Sequence, residues 1–379
     1  MLRALILDKR SGVLATQVCR ALAQRGYRVD IFGQEGSPAF RSRFCDREWT
    51  PAVWRPEAIA ATLQRLVQTY RFDAIYLCSE EILAIFLDLT ASGKWNALPL
   101  SKTESLKMLL SKNVSLRVAQ DAKVATPRTV IPDDDSDLPL IGRELGFPLL
   151  VKGERGDAGR NVRVVTSADR LLAAFHEVRH TEAAYAGRPV IQEYVAGSAY
   201  SVGGLFRKGR PLRICAHRKL LTFPPAGGWT VKGVTERPPG LLEEAFKVFG
   251  AFEYTGLGHV EFIRDKRDAR FKFLELNPRV WGSIGIAQHA GVELYKPYQA
   301  LADGLPVKAD LRFQEGIVYH RFSGELRLIA KRPLRLLGFV RDALSQDVQS
   351  DFEWSDLGPH LAALSGLGRS LVSQARVTR

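Results

Sequence analysis

Two short runs in the second half of the chain bring acidic and amide side chains together. Glu275 and Asn277 are two residues apart in the apolar alternation of 271–276, so a strand there places both on one face. Glu261 lies in an earlier strand-like run, and the polar loop between the runs predicts a hairpin. Oxygen ligands of this kind suit Mg²⁺, and carboxylates that share a site are costly without a cation between them. We therefore predict a metal site at these three residues, with Arg279 placed to meet a phosphoryl group.

A lysine and a glycine-rich segment predict a phosphate site. Lys152 ends the short apolar run 147–152, and Gly153, Gly156 and Gly159 follow it closely. The backbone N–H groups of such a loop can surround a phosphate, and the lysine supplies a point charge. A glycine-rich loop alone is more often a turn, so this signal is weak by itself.

A strand–linker–strand pattern covers residues 190–197 and 200–206. The linker backbone around Glu193 to Val195 can offer one donor and one acceptor, which is what the edge of an adenine ring needs. These segments predict a nucleotide site that no single motif would establish.

In order and spacing, these segments resemble the ATP-grasp superfamily of ligases. The resemblance covers roughly residues 100 to 305 and, more weakly, the first hundred residues. It implies that Lys112 and Lys152 are the nucleotide lysines, with Lys102 as a competing candidate for the first. It implies a lid at Gly156 to Gly159 and an adenine hinge at Gln192, Glu193, Tyr194 and Val195. It also implies that Glu261, Glu275 and Asn277 bind magnesium and that Arg279 lies beside the transferred phosphoryl group.

One position departs from the family pattern. The family often has a carboxylate for the ribose hydroxyls two residues after the hinge glycine, and here that position is Ala199. A degenerate copy that binds nucleotide without turnover is therefore an alternative. The presence of all three metal ligands argues against it.

Composition and charge limit the class of protein. The chain has 379 residues, 46% of them hydrophobic, which suits two or three globular domains. No apolar run is long enough for a membrane span, and the first residues predict a strand rather than a signal peptide. Four scattered cysteines indicate reduced thiols and a cytoplasmic location. The net charge of +13 is spread along the chain, which favours a solvated surface and an electropositive nucleotide cleft over nucleic-acid binding.

The predicted fold class is α/β and α+β, arranged as an ATP-grasp fold. We expect a Rossmann-like domain at 1–100, because strands and helices alternate there, but no dinucleotide site, because GxGxxG is absent. A small lobe with the glycine-rich lid follows at 101–205, and a larger antiparallel lobe with the metal site at 206–310. A helical extension is expected at 311–379.

Two further motifs of the sequence contain candidate functional residues. His176 and His180 form an HExxH pattern in a helical run, but the apolar residues of the run leave both histidines toward solvent and no third ligand follows. We therefore reject a zinc site.

His217, Arg218 and Lys219 precede a Pro/Gly-rich loop that can cover a pocket. Of these, we expect Arg218 to bind the substrate.

The C-terminal run 326–340 mixes apolar and basic residues. A basic helix of this type can make weak contact with a membrane surface. Because Pro333 interrupts the pattern, a packed or partner-facing helix is preferred.

The resemblance implies an ATP-dependent carboxylate–amine ligase, or a carboxylate–thiol ligase, that works through an acyl phosphate with Mg²⁺ or Mn²⁺, two ions being expected. The expected catalytic residues are Arg279, Arg218 and Lys152. The partners are a small carboxylate and a small amine, and a homodimer is compatible with the sequence. The alternatives are an enzyme of the carbamoyl-phosphate synthase type, which the run Glu275–Arg279 also resembles, and a non-catalytic ATP-binding protein.

Overall fold

A computed structural model describes residues 1–9, 12–90, 101–153, 161–182, 188–225 and 227–365. The described residues form three β-sheets, one in each of three successive parts of the chain. The predicted lid glycines Gly156 and Gly159 lie outside the described residues.

The first part is a parallel sheet with helices, as the alternating pattern predicts. Its strands follow the order β3-β2-β1-β4, and each pairs in parallel with its neighbours. Its elements are β1 (Arg3–Leu7), α1 (Val13–Ala23), β2 (Arg28–Phe32), β3 (Arg47–Trp49), α2 (Pro56–Thr69), β4 (Ala74–Leu77) and α3 (Glu80–Thr90). Strands β1 and β4 are largely apolar and buried, which is typical of a sheet that is covered on both faces. The Rossmann-like prediction is confirmed.

The second part is a small lobe with a core of its own. Its antiparallel sheet has the order β5-β8-β6-β7. Its elements are α4 (Thr103–Leu110), α5 (Lys112–Asp121), β5 (Thr129–Val130), α6 (Leu138–Leu145), β6 (Leu149–Lys152), β7 (Val162–Val165), α7 (Leu171–Glu182) and β8 (Val190–Glu193). Leu149 and Val151 from the sheet pack with Phe175 and Val178 of α7, separately from the larger core.

The third part is a seven-stranded sheet in the order β13-β12-β9-β10-β11-β14-β15, antiparallel except for the last pair. Its elements are β9 (Gly197–Arg207), β10 (Arg210–Phe223), β11 (Trp229–Thr235), α8 (Leu241–Ala251), β12 (Gly256–Asp265), β13 (Phe271–Asn277), α9 (Ile284–His289), α10 (Tyr295–Ala302), β14 (Val318–His320), α11 (Phe322–Lys331), α12 (Leu336–Leu344) and β15 (Val348–Ser350).

Two predicted boundaries need correction. The large sheet starts at Gly197 rather than at 206, because the whole of β9 pairs with β10 and β12. The segment 311–379 is not only helical, since β14 pairs along β11 and β15 pairs along β14. Both added strands are three residues long, too short for an alternation of apolar residues to reveal them.

The parallel sheet and the large sheet share one hydrophobic core. A hydrogen bond also joins the two parts, from the backbone N–H of Val280 to the carbonyl of Leu77 at 2.8 Å. The carboxyl end of β4 therefore meets the residues that follow β13, which is where the sequence predicts the metal site.

The C-terminal part is fastened to the first domain by a buried ion pair. Arg20 of α1 donates to a carboxylate oxygen of Asp356 at 2.7 Å, and the Ser42 hydroxyl donates to the same oxygen at 2.7 Å. Burial opposes ionisation of Asp356, but the hydrogen bond from Arg20 and its neighbours prevails and the pKa of Asp356 is lowered. The segment around 42–46 thus holds the end of the described chain.

The four cysteines are free thiols, three of them buried, as their scattered spacing predicts. None of the helices in the described parts of the chain combines the length and the hydropathy that a bilayer crossing requires.

Candidate active site

The predicted hairpin is formed by β12 and β13. Glu261 lies directly opposite Glu275, and His259 lies opposite Asn277. The Asn277 amide donates to Oε1 of Glu275 at 3.1 Å. Because directly opposed residues of an antiparallel pair share a face, the two carboxylates and the amide lie together.

Glu261 is held by two cationic or hydrogen-bonding partners. Nζ of Lys219 is 2.6 Å from Oε2 of Glu261, and Nε2 of His259 is 3.3 Å from its Oε1. Burial would raise the pKa of Glu261, but Lys219 and His259 lower it further than burial raises it. Glu261 is therefore a carboxylate at neutral pH, as a metal ligand must be.

The donor set of Glu261, Glu275 and Asn277 fits the magnesium that the fold implies. Two carboxylates and an amide are hard oxygen ligands on adjacent strands, which is the ligand type that Mg²⁺ and Mn²⁺ prefer. Lys219 forms an ion pair with Glu261, whereas Glu275 accepts a hydrogen bond from the amide of Asn277. The roles of the three as ligands stay predictions.

Lys152 and Lys112 meet at the end of β6. The Lys152 ammonium donates to Oε1 of Gln192 at 2.6 Å, and Lys112 donates to the carbonyl of Gly153 at 3.3 Å. Burial, with a smaller effect of Lys112, lowers the pKa of Lys152 to about 8, while Glu275 and Glu261 oppose this change. The small lobe thus brings both predicted nucleotide lysines toward the two carboxylates of the large sheet.

Lys102, the competing candidate, lies elsewhere. Its ammonium is 3.1 Å from the carboxylate of Glu253, and the two side chains are 75% and 64% exposed. This surface ion pair leaves Lys112 as the lysine that the structure places at the site.

Glu193 needs a correction within the predicted hinge. Its buried carboxylate accepts from Lys272 at 2.8 Å and from Arg267 at 3.2 Å, and its N–H donates to the carbonyl of Arg128. Burial would raise the pKa of Glu193, but the hydrogen bonds, led by Lys272, lower it to about 2. Glu193 therefore links the predicted hinge to the β12–β13 hairpin, and its N–H is already bonded, so the predicted donor to adenine would be Tyr194 or Val195.

The other hinge residues occupy different environments. Gln192 is buried and bonded to Lys152, as described, and its amide also donates to the Thr129 hydroxyl at 2.7 Å. The side chain of Tyr194 is 42% exposed, whereas Val195 is buried. Both lie in the short connection before β9. Ala199 lies two residues before Ser201, on the face that carries Glu261, so the missing ribose carboxylate would have faced the site.

Arg279 connects the site to the first domain. Its guanidinium donates to Oδ1 of Asn277 at 3.1 Å and to Oε1 of Glu80 at 3.2 Å. The side chain is 12% exposed, so it is held between β13 and α3. It is therefore next to the predicted metal ligands, as the sequence indicates.

Arg218 does not lie on the side of the large sheet that carries Glu261, Glu275 and Asn277. It binds Glu236 at 2.9 Å on the face of the large sheet that also carries Tyr200. Its neighbours His217 and Lys219 point to the opposite face, because side chains alternate along β10. Lys219, which is only 4% exposed, is the cation of this run that reaches Glu261.

Arg321 is a second buried cation on the site face, and no feature of the sequence alone identified it. Its position follows from the pairing of β11 with β14: Lys219 pairs with Gly233, Gly233 pairs with Tyr319, and Arg321 is two residues further. The guanidinium lies over the ring of Trp229 at 4.3 Å, and burial lowers the pKa of Arg321. Within the described residues, its Nε has no hydrogen-bond partner.

The residues after β13 cover this face. The Ser283 hydroxyl is 3.3 Å from Nε2 of His217, and the Trp281 ring packs against Gly203. Burial, with Lys219 and His259, lowers the pKa of His217 to about 3, so its imidazole is neutral. Lys219, paired with Glu261, and Arg321 are therefore buried cations on this face beside a neutral imidazole, and buried cations of this kind suit recognition of an anion.

The HExxH histidines are on the solvent side of α7, as predicted. Nε2 of His176 is 2.7 Å from an oxygen of Asp135, and the imidazole is 46% exposed. Leu171, Phe175 and Val178 form the buried face, whereas Leu172, expected there too, is 49% exposed.

Comparison with known proteins finds similar sequences and similar folds. The family described as ATP-grasp in the biosynthetic pathway with Ter operon matches residues 188–324. The biotin carboxylase of Pseudomonas aeruginosa is 26% identical over 216 residues, 54% of this chain and 46% of that protein. The carbamoyl phosphate synthase large chain of Thermotoga neapolitana is 23% identical over 315 residues, 76% of this chain and 27% of that protein.

Among solved structures, the N5-carboxyaminoimidazole synthetase of Staphylococcus aureus superposes with a TM-score of 0.67 at 15% identity, over 87% of this chain and 85% of that one. The predicted ATP-grasp fold is confirmed. The sequence resembles ATP-grasp proteins, with the family match covering residues 188–324. The chain spans less than half the length of the two sequence relatives.

Proposed function

We propose that this protein is an ATP-dependent ligase that joins a small carboxylate to an amine, or to a thiol, through an acyl phosphate. The observation that carries the proposal is the convergence of Lys152 from the small lobe with the opposed carboxylates Glu261 and Glu275 of the large sheet. A cleft that combines phosphate-binding lysines with hard metal ligands is suited to phosphoryl transfer.

In the first step, the transfer of the γ-phosphoryl group, each of these residues has a separate role. Lys112 and Lys152 bind the phosphates of ATP. Mg²⁺ or Mn²⁺, held by Glu261, Glu275 and Asn277, would neutralise charge on the phosphates, and the proposal includes two ions because the site offers two carboxylates. An oxygen of the substrate carboxylate attacks the γ-phosphorus, and the bond to the bridging oxygen breaks, so that ADP leaves. Arg279 stabilises the charge on the transferring group.

The second step needs no nucleophile from the protein. The amine attacks the acyl carbon, loses a proton and displaces inorganic phosphate. Lys219 and Arg321 are the buried cations that would hold the carboxylate, and the residues after β13 would exclude water from the acyl phosphate. Catalysis is then mainly positioning and electrostatic stabilisation.

The names of the relatives favour a second candidate. A carboxylase, a carbamoyl phosphate synthase and a carboxyaminoimidazole synthetase are all named for one-carbon acyl groups. Bicarbonate could therefore be the acid that is phosphorylated here, with carboxyphosphate as the intermediate. ATP dependence and free thiols favour a cytoplasmic reaction on small molecules rather than on nucleic acid.

The test is ADP release from Mg·ATP with bicarbonate alone and with pooled carboxylates, each with and without pooled amines. Release that needs both a carboxylate and an amine supports the ligase, and release with bicarbonate alone supports the second candidate. Glu275→Gln should reduce turnover at least about a hundredfold. The matched control is Glu236→Gln, a carboxylate on the other face of the same sheet. ATP binding without ADP formation in every mixture would favour a non-catalytic protein.

A further inference from the structure

The short helix α12 has its apolar side turned to solvent. Leu337 is 79% exposed, Leu344 81% and Val340 44%, and Leu334 in the turn before the helix is 92% exposed. A surface helix normally turns its apolar residues inward. One exposed leucine needs no explanation, but a contiguous group indicates an interaction surface. We call Leu334, Leu337, Val340 and Leu344 the leucine face.

The orientation of α12 is fixed from its other side. Asp342 is buried and forms an ion pair with Lys232 of β11. The Phe339 ring packs against the ring of Phe322 with centroids 5.7 Å apart. Because a charged residue and an aromatic ring hold the inner side, the helix cannot turn its leucines inward without breaking a buried ion pair.

The inner side also contains the buried group His320, Glu325 and Asp342, whose possible ligand atoms lie within 4.8 Å of one another. These residue types can bind a metal ion. Here, however, Lys232 pairs with Asp342, and Arg335 lies 3.9 Å from Glu325. Two cations already balance the two carboxylates, so the group is better explained as the ionic anchor of α12.

The exposed charged residues of the segment 331–344 all have one sign. Lys331 and Arg332 precede the leucine face and are exposed, and the side chain of Arg341 is 81% exposed. In the sequence between Glu325 and Asp347, the one acidic residue is Asp342, which is buried beneath the helix. Residues 331–344 therefore present leucines and cations without an exposed carboxylate.

We propose that residues 331–344 bind the surface of an anionic lipid bilayer. The leucine face would enter the boundary between headgroups and acyl chains, and Lys331, Arg332 and Arg341 would contact anionic headgroups. A second copy of the chain fits less well, because a two-fold contact through this face would bring the same cations against one another. This inference does not depend on the proposed ligase reaction.

The experiment is co-sedimentation of the full chain with vesicles, in two compositions: phosphatidylcholine alone, and phosphatidylcholine with phosphatidylglycerol. The protein should sediment with the anionic vesicles, less at high salt, and much less with the neutral ones. Leu337→Ser combined with Leu344→Ser should weaken binding at least about tenfold, from the apolar area lost. Leu140→Ser, at a 58% exposed leucine of the small lobe, is the matched control and should bind like the parent protein.

Three results would overturn the proposal. The first is no sedimentation with anionic vesicles, and the second is equal binding by the double leucine variant. The third is a concentration-dependent dimer that the double variant abolishes while vesicles bind neither protein, which would assign the face to self-association. Thermal unfolding of each variant beside the parent protein separates loss of the surface from loss of the fold.

Discussion

Nζ of Lys219 lies 2.6 Å from Oε2 of Glu261, so a residue of the predicted substrate segment touches a residue of the predicted metal site. The two belong to strands that are separated by β9 in the sheet. This contact makes Lys219, rather than Arg218, the residue through which the strand β10 can act on the reaction.

Lys219→Met should reduce ADP formation at least about a hundredfold, because the variant loses a buried cation between Glu261 and the incoming carboxylate. Nucleotide binding should persist, since Lys112 and Lys152 remain. Steady-state kinetics and calorimetric titration with ATP measure the two quantities.

The control for this change is its neighbour on the opposite face. Arg218→Gln breaks the contact with Glu236 and leaves the site untouched, so its turnover should stay within about threefold of the parent value. A large loss in Arg218→Gln with little effect in Lys219→Met would reverse the assignment.

The buried ammonium of Lys152 predicts a pH dependence of nucleotide binding. Burial lowers its pKa to about 8 from an ordinary value of 10.5. Since the protonated form binds phosphate, ATP affinity should fall as the pH rises above this value. Lys152→Arg should retain binding without that fall, because a guanidinium stays charged. An unchanged pH profile in the arginine variant would show that another group is responsible.

The same shift has the opposite effect on stability. Between about pH 8 and 10.5 the unfolded chain binds a proton at Lys152 that the folded chain does not, so the contribution of this residue to stability rises with pH across this window. Urea unfolding of the parent protein and of Lys152→Met should show this slope in the parent protein alone. A parallel slope in both would contradict it.

Gly203 permits the close approach of Trp281 to the large sheet. A β-carbon at Gly203 would lie 2.5 Å from two ring carbons of Trp281, which is closer than atoms can approach. Gly203→Ala should therefore destabilise the fold by about 1–3 kcal/mol and lower turnover, because the residues after β13 must shift. Gly250→Ala is the control: a β-carbon there meets nothing within 4 Å, so thermal unfolding should show no loss. Equal melting temperatures for the two variants would contradict this packing.

The buried pair of Arg20 and Asp356 predicts a large effect from a small change. Asp356→Asn should lower the free energy of unfolding by about 3 kcal/mol, because it leaves a buried guanidinium without its carboxylate. Asp46→Asn removes the partner of Arg28 in a half-exposed pair and should change stability little. Urea unfolding measures both.

The pKa of Asp356 gives this pair an acid dependence as well. Since its folded pKa is lowered, its contribution is complete above the ordinary pKa of an aspartate and is lost as the pH falls through the folded value. The difference between the parent protein and Asp356→Asn should shrink in that acid range. A constant difference would show that Asp356 acts without its charge.

Local patterns predicted the elements whose signal lies within a few residues. The period-two alternation around Glu275 and Asn277 predicted their strand and their shared face. The polar loop between this run and the run of Glu261 predicted the hairpin. The same alternation separates Arg218 from Lys219, but it applies only if β10 extends through both. The run precedes a Pro/Gly-rich loop, and the strand β10 continues through the run to Phe223.

Arg321 could not be found in this way. Its place on the site face depends on β14 pairing with β11, across more than eighty residues of sequence. Such pairings are decided by the packing of the whole sheet rather than by local preference. The exposure of the α12 leucines could not be predicted either, because an amphipathic pattern does not say which side of a helix is buried.

The ion pair between Arg20 and Asp356 has a consequence for biosynthesis. The first domain emerges from the ribosome early, but the carboxylate that neutralises its buried arginine is 336 residues further along the chain. Until that carboxylate arrives, Arg20 must stay hydrated at an unfinished surface. The first domain therefore completes its surface only after residue 356 has been synthesised, and a chain that is released before this residue should be recognised by proteases as incomplete.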